Sequence, residues 1–228
     1  MPIIEDKSAY ILHVRDYGDS SKIADILTPD FGKLSLLIKG VKKNNKKSGL
    51  VQPFLPLIVS WGGGGELKTA ASVEPAGPPL MLKGDRLFCG LYLNELTLRL
   101  VKPYDHNSEL FDLYHQTLQE LPYSSLEPLL RSYEKNILDL LGHGLMLSED
   151  AFGKEISPAN LYEYSIDGGA KPVERSSGAL VVSGEDLLLL KTEEFESAND
   201  LSGVKRFMRS VIRTYIGDRP LRSRELFR

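Results

Sequence analysis

From Ser8 to Glu74 apolar and polar positions alternate with the two-residue period of strands that bury one face. Five short runs carry the pattern: Ser8–Val14, Lys22–Thr28, Lys33–Lys39, Phe54–Trp61 and Glu66–Glu74. Turn residues separate them, in order Asp16–Asp19 around Gly18, Pro29–Gly32, a lysine-rich stretch, and the four glycines Gly62–Gly65. Five strands with no helical pattern between them predict a small closed barrel, with an OB-fold ahead of an SH3-like barrel. The prolines of Glu74–Leu80 mark a boundary, and beyond them the period becomes helical.

Arg86–Val101 is apolar on nearly every side, as a buried helix would be. Ser108–Leu121 opens on a serine in a capping position. Leu126–Gly142 gathers Leu126, Leu129, Leu130, Tyr133, Ile137, Leu140 and Leu141 on one stripe. Val204–Gly217 opposes an apolar face of Val204, Phe207, Met208, Val211, Ile212 and Tyr215 to Lys205, Arg206, Arg209 and Arg213. Residues 148–183 are weakly patterned, with a hairpin expected around Gly168–Gly169. The predicted class is α+β. An OB-fold spans 1–78, a helical bundle domain takes 79–147 and 184–228, and 148–183 form a small irregular or β insertion.

Composition narrows the picture. The 228 residues are 42% hydrophobic and 26% charged, as expected of a globular protein able to bury a core. No apolar run reaches the roughly 18–20 residues that cross a bilayer, and acids stand in the first ten residues where a secretory signal carries basic ones. The single cysteine, Cys89, excludes an internal disulfide and a cysteine-rich zinc site. A cytoplasmic protein is expected. The net charge of −3 is unevenly spread. Residues 1–80 carry ten Lys/Arg against eight Asp/Glu, residues 81–203 ten against twenty-one, and residues 204–228 eight against two.

Catalytic signatures are missing from the chain. Gly62–Gly65 lacks the Lys-Ser/Thr of a phosphate loop and reads as a hairpin turn. Gly142–Met146 has no serine for a nucleophile elbow. His13, His106, His115 and His143 never come closer than nine residues, and none has the i, i+4 partner of a helical zinc site. Glu149–Asp150 and Glu193–Glu194 lie in polar stretches and read as solvated. No catalytic residue, cofactor or metal is predicted.

Lys39–Gly49, "KGVKKNNKKSG", holds five lysines and no acid. After the third strand of a barrel it predicts a flexible loop whose Lys39, Lys42, Lys43, Lys46 and Lys47 contact phosphates without regard to base sequence. Arg15, Lys22 and Lys33 extend the patch, and Trp61, Tyr17 and Phe31 are the aromatic candidates for base stacking. The competing reading is a mobile turn that only keeps the protein dissolved.

In order, "YILHVRDYGDSSKIADILTPDFGKLSLLIKGVKK", "GLVQPFLPLIVSWGGGGELKT", "GLYLNELTLRLVKPYDHNSELFDLYHQTL", "LRSYEKNILDLLGHGL" and "VKRFMRSVIRTYIGDRPLRSRELF" resemble the bacterial RecO family of DNA recombination and repair mediators. The resemblance implies an OB-fold, a helical domain and a small third element. It also implies a non-enzymatic protein of the RecF pathway, cytoplasmic and nucleoid-associated during repair. Such a protein binds single- and double-stranded DNA, anneals complementary strands, docks on the acidic C-terminal tail of single-stranded-DNA-binding protein, and with RecR promotes RecA loading. Many family members carry a four-cysteine zinc site after the "G-GL" motif, whereas Ser148–Asn160 here has no cysteine, so zinc is not expected.

An acidic tail that ends in an apolar residue and a carboxylate needs a cation beside an apolar groove. Arg131, with Leu130, Tyr133 and Lys135, is the candidate, although Glu127 stands four residues earlier as a helical ion-pair partner. Arg209, Arg213, Arg222 and Arg224 are candidates for DNA or partner contact. Alternatively, Leu221, Leu226 and Phe227 cap the helices and leave the terminal arginines solvated. Two rival functions stay open: an OB-fold enzyme or RNA-processing factor with a helical substrate domain, and a pure protein-interaction adaptor.

Overall fold

The computed structural model describes residues 3–174, 180–198, 200–217 and 219–227. The strands are β1 (Ile4–Tyr17), β2 (Ser21–Thr28), β3 (Gly32–Ile38), β4 (Leu57–Gly62) and β5 (Leu67–Pro75). They close into a barrel in the order β1-β2-β3-β5-β4, with β4 back on β1. All neighbours are antiparallel except β3 and β5, which run parallel over Ser35–Leu37 and Leu67–Thr69. The alternating residues Ala24, Ile26, Leu34, Leu36, Ile38, Leu57, Val59 and Trp61 fill the interior, as the period-2 pattern requires. This is the expected OB-type barrel.

The expected flexible loop between β3 and β4 is instead ordered. A 3-10 turn, Val41–Lys43, leads into a short helix, α1 (Asn45–Leu50). Asn44 is extended, and its side chain accepts from the amides of Lys46 and Lys47 at 3.0 and 3.2 Å, capping the helix. Lys42 N–H donates to the Ser20 carbonyl at 3.1 Å, tying the segment to the β1–β2 turn. Val41, Val51 and Leu55 are buried in the barrel core, so the polar lysines ride on an apolar plug.

A bulge decides what covers the barrel. The β1–β2 register shifts between Ile11 and His13, leaving Leu12 as the extra residue. Its carbonyl accepts from Asn94 Nδ2 at 3.0 Å, and Asn94 Oδ1 accepts from the Tyr114 hydroxyl at 2.5 Å. Asn94 lies on α2 (Asp85–Leu100) and Tyr114 on α3 (Ser108–Glu120). Tyr10 of β1 packs on Phe111 and Tyr114, with its hydroxyl 2.7 Å from His115 Nδ1. The cap of α3 is Asn107, which accepts from Leu110 N–H, and the expected Ser108 is the first helical residue. By compactness, α2 and α3 go with the barrel in one unit that ends at Pro122 and regains the chain from Leu221.

The second unit, Tyr123–Pro220, holds α4 (Leu126–Leu140), α5 (Gly184–Thr192) and α6 (Ser202–Ile216). It also holds a sheet of β6 (Leu161–Ser165) between β7 (Gly169–Val173) and β8 (Val181–Ser183). The hairpin turns at Gly168–Gly169 as expected. Tyr162 and Tyr164 are buried, and their hydroxyls accept from the amides of Ser157 (2.9 Å) and Met146 (3.0 Å). The cysteine-free turn after Ser148 is organised by Asp150, whose carboxylate accepts from the amides of Phe152 and Lys154 at 2.8 and 2.9 Å. Ile156 N–H bonds back to the Ser148 carbonyl at 3.1 Å.

Replacing Asn94 by Leu takes the donor from the Leu12 carbonyl and the Asn94 acceptor from the Tyr114 hydroxyl, so the N94L protein is expected to lose about 1–3 kcal/mol of stability. Trp61, the single tryptophan and 1% exposed in the barrel, reports that unit's unfolding in denaturant. A loss below about 0.5 kcal/mol, the range of a neutral surface change, would mean that the bridge is not structural.

Candidate nucleic-acid interface

Five of the predicted DNA-contact residues meet at one end of the barrel. Lys39, Lys42, Lys46 and Lys47 are exposed, and Lys22 is half-buried. Lys42 Nζ lies 3.0 Å from Asp16 Oδ2, and Lys22 also acts on Asp16. The hydrogen bond from Lys42, then the neighbouring positive charges, hold the Asp16 carboxyl below its ordinary range. Lys39 and Lys47 line a groove between α1 and β5. Among the described residues, Lys39, Lys46 and Lys47 have no ion-pair partner. The Lys43 side chain lies outside the described residues.

Arg15 and Lys33 sit elsewhere, on the outer face of β1, β2 and β3. They line a cleft of about 690 Å³ with Asp25, Ser35, Leu98 and Tyr104. Asp25 organises it, accepting from Arg15 Nη1 at 3.0 Å and Ser35 Oγ at 2.5 Å, with His13 Nδ1 at 3.5 Å. Lys33 Nζ donates to the Leu98 carbonyl at 2.6 Å. Burial pushes its ammonium pKa down against the pull of Asp25, so this lysine is committed inside the unit.

Gly32 makes the junction possible. It has φ +60°, and a Cβ there would stand 2.1 Å from the Asp105 carbonyl oxygen. The residues after α2 can therefore press on β3, with Tyr104 N–H bonded to the Lys33 carbonyl at 2.9 Å. Tyr104 and Asn44 both shape these surfaces and do not stand out in the sequence. For Asn44 an N-cap signal exists, masked by the lysines around it.

The aromatic candidates divide. Trp61 is core, not a stacking platform, and Phe31 meets its ring edge-on at 5.2 Å. Tyr17 is 51% exposed on the β1–β2 turn.

On α4 the expected docking residues face inward. Leu130, Arg131 and Tyr133 are buried. Arg131 lies between Glu127 (3.2 Å) and Glu134 (2.6 Å), and Lys205 of α6 reaches Glu127 at 2.6 Å. Lys135 pairs with Glu193 at 2.6 Å. Burial pushes the Glu193 carboxyl up, but hydrogen bonds from Lys135, Ser132 and Asn136 outweigh it and hold it low. Arg131 thus serves buried Glu134 and half-buried Glu127, and half-buried Lys135 serves half-buried Glu193, so each would have to leave a carboxylate to meet a peptide. Arg209 and Arg213 are exposed on α6.

The C-terminal segment is a brace on α2. Glu95 accepts from the amides of Arg222 (3.0 Å) and Ser223 (2.8 Å) and from Ser223 Oγ (2.7 Å). Leu221 is buried, Leu226 is 42% exposed, and the Arg224 guanidinium lies over the Tyr92 ring at 5.6 Å. Arg222 is exposed, while Arg228 and the Phe227 side chain lie outside the described residues. Among those residues, no helix is long and apolar enough to cross a membrane, and no cluster of acids, histidines and cysteine could hold a metal.

Two family models match the chain, "Recombination protein O N terminal" over residues 1–79 and "Recombination protein O C terminal" over residues 81–225. Similar curated proteins include "DNA repair protein RecO" of Methylococcus capsulatus, 40% identical over 223 residues, covering 96% of this chain and 91% of the relative. The protein of that name from Pseudomonas aeruginosa is 40% identical over 222 residues (97% and 94%), and that from Coxiella burnetii 39% identical over 220 (96% and 95%).

Two outcomes follow from the ion pairs. Arg131→Ala removes the guanidinium that lies 2.6 Å from buried Glu134, and unfolding followed by circular dichroism should show a loss of about 3–5 kcal/mol. A loss under about 1 kcal/mol would mark Arg131 as an exposed pair. For Glu95, burial raises the carboxyl pKa, but the bonds from Ser223 and Arg222 and the charge of Arg99 prevail and lower it. Its grip is therefore complete above the ordinary glutamate value of about 4.3 and is lost as pH falls through the lower folded value. The amide resonances of Arg222 and Ser223 should hold from pH 7 to about 5 and move only below. Movement above pH 6 would contradict the assignment.

Proposed function

This chain belongs to the RecO family of DNA repair proteins, and on that footing we propose a non-catalytic mediator that holds nucleic-acid strands on the lysine-bearing end of its barrel. The observation that carries the reading is the capped helix at that end. Asn44 and the Ser20 carbonyl hold the backbone of the lysine segment, so its ammonium groups are presented without first having to be ordered. Each phosphate contacted releases condensed counterions, which lets a protein of net charge −3 bind a polyanion through a local patch. Lys22, Lys39, Lys42, Lys46 and Lys47 form that patch, with Lys43 of the same run. Arg15 marks a second, weaker approach at the cleft beside Tyr104. Lys33 supports that cleft from within.

Such a patch contacts single and double strands alike, and two strands held on one positive surface repel each other less. Base pairing can then complete annealing with no chemical step. Recruitment through the acidic tail of single-stranded-DNA-binding protein, and RecA loading with RecR, make up the rest of the proposal. For the tail, we assign the exposed arginine row of α6, Arg206, Arg209 and Arg213, whose spacing sets them on one face. Buried Arg131 would first have to abandon two carboxylates.

The K42A/K46A/K47A triple variant is expected to bind oligonucleotides of any sequence more weakly. Its slope of log affinity against log salt should be shallower by up to about 0.7–0.9 for each phosphate no longer neutralised. Annealing of complementary strands should slow in parallel. An unchanged slope would show that the lysine segment does not touch phosphate.

A further inference from the structure

Beyond Thr69 the strand β5 parts from β3, because the parallel ladder stops at the Leu37–Thr69 pair. There α1 takes the place of a strand neighbour. Trp61 pairs with Ala70 and Ser60 with Ser72, so Ala71 is the extra, exposed residue of a second bulge. The outcome is a groove of about 270 Å³ with buried Ile38 and Val51 at its base, exposed Lys39 and Lys47 at its rim, and Glu74 among its walls.

We propose that this groove is a one-nucleotide subsite that takes an unpaired base of a strand held by the lysines. The inference rests on the nucleic-acid reading above and deepens it, because the lysines alone cannot tell a single strand from a duplex. Size is the first argument. Ligand pockets for larger molecules run from about 300 to 1,000 Å³, so this groove suits a single unit of a polymer. Charge is the second. Lys39 and Lys47 both line the groove, so a backbone held by their ammonium groups passes its mouth, and Glu74 keeps phosphates toward its lysine side. The third is the strand edge. With no β3 partner past Thr69, β5 offers backbone donors and acceptors of the kind that meet base edges. A base inside a duplex is stacked and already paired, so it cannot enter; an unpaired base can.

Three fluorescent probes test this: oligothymidine, an abasic strand of equal length, and a duplex. The first two carry the same phosphates and differ in their bases. The wild-type protein is expected to bind oligothymidine about fivefold more tightly than the abasic strand, the effect of removing about 40 Å² of base surface from water. Ala71→Leu fills the groove from an exposed position. It should abolish that difference while leaving duplex binding and the salt slope unchanged. Lys47→Ala should weaken all three probes. Equal wild-type affinity for oligothymidine and the abasic strand would overturn the subsite, as would an equal effect of A71L on every probe. The same result would be seen if the groove served an apolar side chain of an acidic peptide. Should A71L disturb the barrel, seen as altered Trp61 emission, Ala71→Val puts a smaller side chain at the same exposed position and is held to the same outcomes. Failure to bind any of the three would instead sink the nucleic-acid reading itself.

Discussion

One hydrogen bond sets the layout of the first unit: the Leu12 carbonyl, turned out of the ladder by a bulge, accepts from Asn94 of α2. A barrel cannot leave that acceptor dry and unpaired, and burying it without a donor costs about as much as a typical damaging mutation. Asn94 answers it and is itself answered by Tyr114 of α3, so both helices are fastened to the same stretch of β1. That choice of covered face leaves the Lys39–Leu50 end of the barrel facing solvent. The candidate interface thus stands on the β3–β4 connection, away from the backbone need that the helices meet on β1.

The cations fall into two kinds. Arg131, Lys135 and Lys205 neutralise acids within the second unit, and Lys33 is spent on a helix carbonyl in the first. Lys39, Lys46 and Lys47 stand exposed on a short helix and its approach, where the backbone is capped. Only the second kind can be offered to a polyanion at little cost, since the first would uncover buried charge. Counting basic residues therefore says less about binding than asking which of them already have a carboxylate to serve. Asp16 is the intermediate case: an exposed acid on Lys42 that an incoming phosphate displaces easily.

The five strands were legible because each buries one face, and period 2 follows directly from that. The stripe on α4 and the faces of α6 were legible for the same reason at period 3.6. Four consecutive leucines, Leu187–Leu190, carry neither period, which is why α5 is not legible in the sequence. The helix at Asn45–Leu50 is concealed because its signal is an asparagine cap and not an apolar stripe. Arg131 resembles a docking cation in sequence because its burial and the reach of Lys205 to Glu127 arise only in three dimensions, although Glu134 stands three residues on as a helical partner, and Trp61 looks available because a strand end does not announce its burial. The lysine run is visible at once; what cannot be read is that an apolar plug of Val41, Val51 and Leu55 orders it.

The most direct test is lysine footprinting. The free protein and its complex with a short single strand are treated with an amine-reactive label, and modification of each lysine is read by mass spectrometry. Strong protection of Lys39, Lys42, Lys46 and Lys47, with Lys102, Lys171 and Lys191 unchanged, is expected of a barrel end that holds the strand. Protection confined to lysines of the second unit, with the Lys39–Lys47 segment labelled equally in both states, would contradict it.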